Sequence, residues 1–96
     1  MDPRPVRKPA RDIQDRFFAA MAACIEKDKI EGLQTFCRIY DLHMAKYSQL
    51  RSAFNKKKES VRYKFIDLDA LYYLVRDFGV SADWLLTGRG NMFRIG

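Results

Sequence analysis

Only two cysteines and a single histidine occur in the 96 residues of this chain. Cys24 and Cys37 sit in apolar stretches with no Cys-x-x-Cys pair, so neither a disulfide framework nor a zinc site is expected. Both read as reduced core thiols. His43 has no partners for a triad, and Gly88-x-Gly90 is too short for a phosphate-binding loop. No enzyme, cofactor, metal or small-molecule substrate is therefore expected. Asp67 and Asp69 do not form an acid–base pair either. Two residues apart on a helix they point to different faces, and an N-cap plus a first-turn acid explains them.

Long apolar runs are also missing. The longest uncharged one, Phe17–Ile25, has nine residues, against the roughly 20 that cross a bilayer. The first residues lack the apolar core of a signal peptide, and a cytoplasmic location is the expectation. Proline is confined to positions 3, 5 and 9, among Arg4, Arg7, Lys8 and Arg11. Residues 1–11 thus read as a disordered basic arm. It tracks phosphates or enters a minor groove, or it is simply a solvated leader.

What the chain has is concentrated charge. Residues 43–64 hold Lys46, Arg51, Lys56, Lys57, Lys58, Arg62 and Lys64 against one acid, Glu59. That is the chain's entire net charge of +6, because the remaining residues hold both signs equally. A local positive field of this kind calls for a polyanion. Hydrophobic residues make up 48% of the chain, with seven Phe, five Tyr and one Trp, enough for one small core.

Apolar spacing predicts five helices. Ile13, Phe17, Ala20, Met21, Cys24 and Ile25 form one stripe over 12–27. Leu33, Phe36, Cys37 and Tyr40 do so over 33–40. A turn at Asp41-Leu42 leads to a third helix over 44–54 with Tyr47, Leu50 and Phe54 inward. Tyr47 therefore reads as core, not as a base-stacking residue. The opposite side carries Ala45, Lys46, Gln49, Arg51 and Ser52, polar and free of acids. Asn55–Glu59 reads as a basic loop, whose Lys56–Lys58 are either phosphate-binding or merely solvated. Alternation of Val61, Tyr63 and Phe65 suggests an extended segment at 61–65, with Met92–Ile95 as a candidate partner strand. Asp67 is the expected N-cap of a fourth helix with a stripe of Leu68, Leu71, Tyr72, Val75 and Phe78, widened by Leu74 and closed by Gly79. Ser81 opens a fifth, with Trp84, Leu85 and Leu86, which Thr87-Gly88-Arg89-Gly90 ends. The fold class is all-α, a compact five-helix bundle over 12–96.

Two stretches resemble a known family. A small residue in the first helix (Cys37), a left-handed-tolerant turn residue (Asp41) and inward anchors (Leu42, Tyr47, Leu50) are laid out as in the helix-turn-helix of the phage-repressor and Cro-like (Xre) family. That family favours Ala and Gly where Cys37 and Asp41 stand. Residues Phe78-Gly79-Val80-Ser81-Ala82-Asp83-Trp84-Leu85-Leu86-Thr87-Gly88-Arg89-Gly90 resemble the family's usual ending, Gly-Val-Ser, two variable residues, Trp-Leu-Leu-Thr-Gly, a variable residue and Gly. The link at 55–66 is longer than the family's.

The resemblance implies a bacterial or phage transcription regulator that binds double-stranded DNA as a homodimer on a palindromic site, with the helix at 44–54 in the major groove. Met44, Ala45, Gln49 and Ser52 are then the base-contacting positions, and Gln49 suits adenine through its carboxamide. His43, Lys46, Arg51, Lys56, Lys57 and Lys58 would hold phosphates. His43 could instead only cap the helix. The alternative function is a protein-interaction module, an antitoxin or adaptor, docking through exposed Phe18, Tyr73 and Phe93.

Overall fold

Helix α1 runs from Lys8 to Glu26 in a computed structural model that describes residues 8–55 and 65–94. It starts four residues before its expected first turn, so residues 8–11 belong to the bundle and not to a disordered arm. Pro9 is tolerated there because the first N–H groups of a helix have no intrahelical acceptor. Lys8 also pairs with Asp12 one turn on, at 2.9 Å. Residues 1–7 lie outside the described residues.

Four further helices follow among the described residues: α2 (Leu33–Ile39), α3 (Met44–Asn55), α4 (Leu68–Phe78) and α5 (Ala82–Thr87). The architecture is an all-α bundle, and the described residues contain no strand. Phe17 of α1 sits at its centre, fully buried, with its ring 5.1 Å from Phe18, 5.8 Å from Phe36 of α2 and 6.0 Å from Tyr47 of α3. Phe36 in turn lies 5.9 Å from Phe78 of α4. These edge-on and tilted contacts join four helices through one aromatic cluster, the geometry ring quadrupoles favour.

Residues with left-handed backbones end α1 and α2. Asp28 (φ 61°) follows α1, where Lys29 N–H reaches back to the Cys24 carbonyl at 2.8 Å. Asp41 (φ 56°) follows α2, where Leu42 N–H reaches the Cys37 carbonyl at 2.8 Å. Each closes orphan carbonyls in the manner of a Schellman motif. Asp41 is the residue expected to turn the chain, and α2 and α3 pack against each other across that turn.

The phase of α4 differs from expectation. Ala70 and Leu74 form its buried face. Leu68 and Tyr72 point to solvent, 81% and 57% exposed. The apolar residues of α4 fill one wide arc opposite Asp69, Arg76 and Asp77, with Ala70 and Leu74 at one edge and Leu68 and Tyr72 at the other, so spacing fixes the apolar side but not which edge packs inward. Asp67 has N-cap backbone geometry, but its side chain makes no capping bond.

Helix α5 is held from both ends. The Ser81 hydroxyl accepts from Trp84 N–H at 3.3 Å. At the other end Arg16 of α1 donates from Nε to the Leu85 carbonyl (2.8 Å) and from Nη2 to the Leu86 carbonyl (3.0 Å). Gly88 (φ 81°) must turn beside that guanidinium, and a Cβ there would lie 3.3 Å from Arg16 Nη1. The tail then folds back. Phe93 forms an antiparallel bridge with Val80, and Arg94 N–H reaches the Gly79 carbonyl at 2.8 Å. Among the described residues the partner of 92–94 is thus the α4–α5 link. Residues 61–64 lie outside the described residues, and Phe65 is not in a strand.

Candidate nucleic-acid interface

His43 opens α3. Its Nδ1 accepts from Lys46 N–H at 3.2 Å while its carbonyl accepts from Tyr47 N–H at 3.2 Å. An accepting Nδ1 places the ring proton on Nε2. The residue is exposed, so a capping role and a donor to an external oxygen coexist.

Beyond the cap, α3 divides by burial. Tyr47, Leu50 and Ala53 are buried, and Phe54 packs with its ring 5.9 Å from Phe18. Ala45, Gln49 and Ser52, at i, i+4 and i+7, form an exposed row on the other side. Asn55 continues that row by one more turn. The sequence pattern put it in the basic loop, whereas α3 extends through it, and its i+3 spacing from Ser52 is the signal that finds it. Met44 is half-buried and packs on the core, so it lies at the edge of this row. Arg51 is half-buried on the flank.

Lys46 has company that the sequence spacing did not suggest. Its Nζ lies 3.2 Å from both carboxylate oxygens of Asp67, and its side chain is mostly buried. The same carboxylate accepts from the Tyr47 hydroxyl at 2.7 Å. The Tyr47 hydrogen bond, with Lys46 adding to it, holds the Asp67 carboxyl below its ordinary value. Burial, then the bond to Asp67, pushes the Tyr47 phenol well up. Lys46 is therefore an ion-paired flank of α3 and not a bare cation. The carboxylate it meets also binds the buried Tyr47, so an acid from outside α3 stands against part of the side that the sequence pattern left acid-free. Lys56, Lys57 and Lys58 lie outside the described residues.

Another buried polar link escaped the sequence reading. Gln14 of α1 accepts from Ile66 N–H through its Oε1 at 2.8 Å. A lone glutamine in an apolar stripe gives no sign of such a role. Together Gln14 and Tyr47 anchor the chain just before α4 and so fix α4 relative to α1 and α3.

The aromatics expected to form a docking patch are not free for one. Phe18 is 3% exposed and belongs to the core. Tyr73 stacks on Tyr40 at 4.1 Å, and Phe93 lies under Lys27 and Lys29, each 5.3 Å from its centroid. Cys24 and Cys37 are free and buried, and burial raises both thiols. Among the described residues no group of His, Cys, Asp and Glu could hold a metal ion, and no helix is long and apolar enough to cross a membrane. A crevice of about 10 Å³ between α1 and α3, lined by Gln14, Asp15, Phe18 and Leu50 among others, has room for roughly one water.

Compared with known proteins, the chain matches no family model, no curated protein and no solved structure.

Proposed function

We propose that this protein is a sequence-specific DNA-binding regulator of the phage-repressor and Cro-like kind, which lays α3 in the major groove. The observation that carries the proposal is the exposed Ala45–Gln49–Ser52 row. It is acid-free, it follows the left-handed turn at Asp41, and it belongs to the segment that holds the chain's whole net charge. Ala45 offers a methyl to a thymine methyl, with Met44 beside it, and Gln49 offers a carboxamide to adenine N7 and N6. Ser52 hydrogen-bonds to either kind of base. His43 Nε2, Arg51 and Lys56–Lys58 bind phosphates on either side, and Lys46 joins them by exchanging Asp67 for a phosphate oxygen.

The test is fluorescence anisotropy on labelled duplex DNA across a salt series, with sites first selected from random duplexes. About five phosphate contacts give a slope of log K against log salt near −4 to −5. A selected inverted repeat is the expected site for a two-fold assembly. Absence of duplex binding at about 50 mM salt, where such contacts are strong, would reject the proposal.

A further inference from the structure

The outward face of α4 is not among the surfaces assigned to DNA in the proposed function. Leu68 and Tyr72 lie at i and i+4 on it, and Phe65, just before the helix, is 47% exposed. Three of the five exposed large hydrophobics among the described residues thus gather on one short stretch. Arg76 continues the row. Asp77 binds its Nε and Nη2, each at 2.7 Å, and its guanidinium lies 5.1 Å from the Tyr72 ring and 5.2 Å from that of Tyr73. Tyr73 is itself stacked on Tyr40, whose hydroxyl donates to Asp77 at 2.6 Å. The tyrosines and arginine are therefore held in place before any partner arrives. Tyr and Arg in a fixed arrangement around an exposed leucine have the composition of an interface centre.

We infer that this face docks on the same face of a second copy, with the two α4 helices antiparallel across a two-fold axis near Tyr72. Charge complementarity selects that occupant. Asp69 stands near the start of α4 and Arg76 near its end, both exposed. An axis between them sets Asp69 of each copy opposite Arg76 of the other, twice over, as an isologous contact requires. A guanidinium has five N–H donors. Asp77 takes two, so donors remain for the incoming carboxylate. Leu68 of each copy then packs over the other's Tyr72 and Arg76 stem. One eleven-residue helix gives a small interface, so the dimer is weak in free solution. The inference does not rest on DNA binding and is read without DNA.

The test is sedimentation equilibrium on the full chain over a concentration series, with two charge reversals. Asp69→Arg and Arg76→Glu each create two like-charged pairs in their own homodimer, so each should raise the dissociation constant at least about tenfold. An equimolar mixture of the two variants restores both pairs in a heterodimer and should return the constant to near that of the original chain. Leu68→Ser, at a position too exposed to matter for folding, should also weaken the dimer. Circular dichroism on each variant checks the helices. A wild-type chain that stays monomeric throughout the series overturns the inference. So does a dimer indifferent to all three variants, or reversals that the mixture fails to rescue.

Discussion

Tyr47 and Asp67 exchange two hydrogen bonds. The Tyr47 hydroxyl donates to the Asp67 carboxylate at 2.7 Å and accepts from the Asp67 backbone N–H at 2.9 Å. One phenol on α3 thereby satisfies both the side chain and the main chain of the residue that begins α4. This explains why Asp67 leaves its own helix uncapped. It also explains how a fully buried tyrosine on the inward side of α3 stays hydrogen-bonded.

Tyr47→Phe tests how much this exchange holds α3 against α4. The ring stays and only the hydroxyl goes. The Asp67 N–H loses its acceptor, and the carboxylate keeps Lys46 alone. A loss of about 1–3 kcal/mol is expected, the usual cost of stranding partly buried partners. Urea denaturation measures it, with an unchanged m-value showing that the unfolded state is the same. Tyr40→Phe removes a bond of similar length to Asp77 at the surface and should cost clearly less.

Acid should weaken the same link. The native Asp67 carboxyl titrates below its ordinary value of 3.8. The unfolded chain therefore takes up this proton first as pH falls. The stability that the carboxylate contributes is complete above 3.8 and is lost as pH drops through its lower native value. Asp67→Asn should lower stability at neutral pH and flatten the part of the stability–pH curve below about 4. Equal curves for the two proteins in that range would assign the acid response elsewhere, for example to Asp77, which Arg76 and Tyr40 draw down to about 2.

The contrast between what spacing disclosed and what it hid has a physical basis. Helices α2 and α3 were legible because Leu33, Phe36, Cys37, Tyr47 and Leu50 recur at a period only a one-faced helix produces. The turn at Asp41 and the caps at Gly79 and Ser81 were legible because few residues suit those backbone angles. Helix α4 was legible in extent but not in rotation. Leu68, Leu71, Tyr72, Leu74, Val75 and Phe78 share one wide arc of it, and only packing decides that the edge with Ala70 and Leu74 faces inward. Phe18 was misplaced because two neighbouring aromatics can both be buried when the apolar stripe is wide. The polar links of Gln14, Arg16 and Asp67 span 52, 69 and 20 residues. No local pattern encodes contacts so distant. The exposed row at 45, 49 and 52 was visible as the complement of the core positions, but the pairing of Lys46 with Asp67 was not.

Three glycines should respond differently to alanine. At Gly88 a positive φ of 81° coincides with Arg16 Nη1 only 3.3 Å from the new Cβ. The substitution strains the backbone and presses on the guanidinium that holds α5, so a loss of roughly 1–2 kcal/mol is expected. At Gly90 the φ is 79° but the space is open. Only the backbone cost of about 1 kcal/mol applies. At Gly32 the backbone is extended and nothing lies within 4 Å. Alanine there should be neutral or stabilising by up to about 1 kcal/mol through the unfolded chain. Thermal melts of the three variants give the order directly. A Gly88→Ala protein as stable as Gly32→Ala would mean that Arg16 shifts without cost and that its fork does little for α5.

The DNA proposal predicts two separable losses. Gln49→Ala removes a base contact, so affinity should fall by about 1–3 kcal/mol on the preferred sequence and much less on sequences altered at that base. Lys57→Ala removes a phosphate contact. It should weaken all duplexes alike and make the salt slope shallower by about 1. Lys46→Ala falls between these cases. Its ammonium already has a carboxylate, and a phosphate gained on binding replaces Asp67 instead of water. The loss in affinity should be smaller than for Lys57→Ala, while folding stability falls because Asp67 loses a partner. Competition titrations against selected and scrambled duplexes at fixed salt separate the three. Equal losses for Gln49→Ala on every duplex would strip it of a reading role. An affinity loss for Lys46→Ala as large as that for Lys57→Ala would show that giving up Asp67 costs the bound protein nothing.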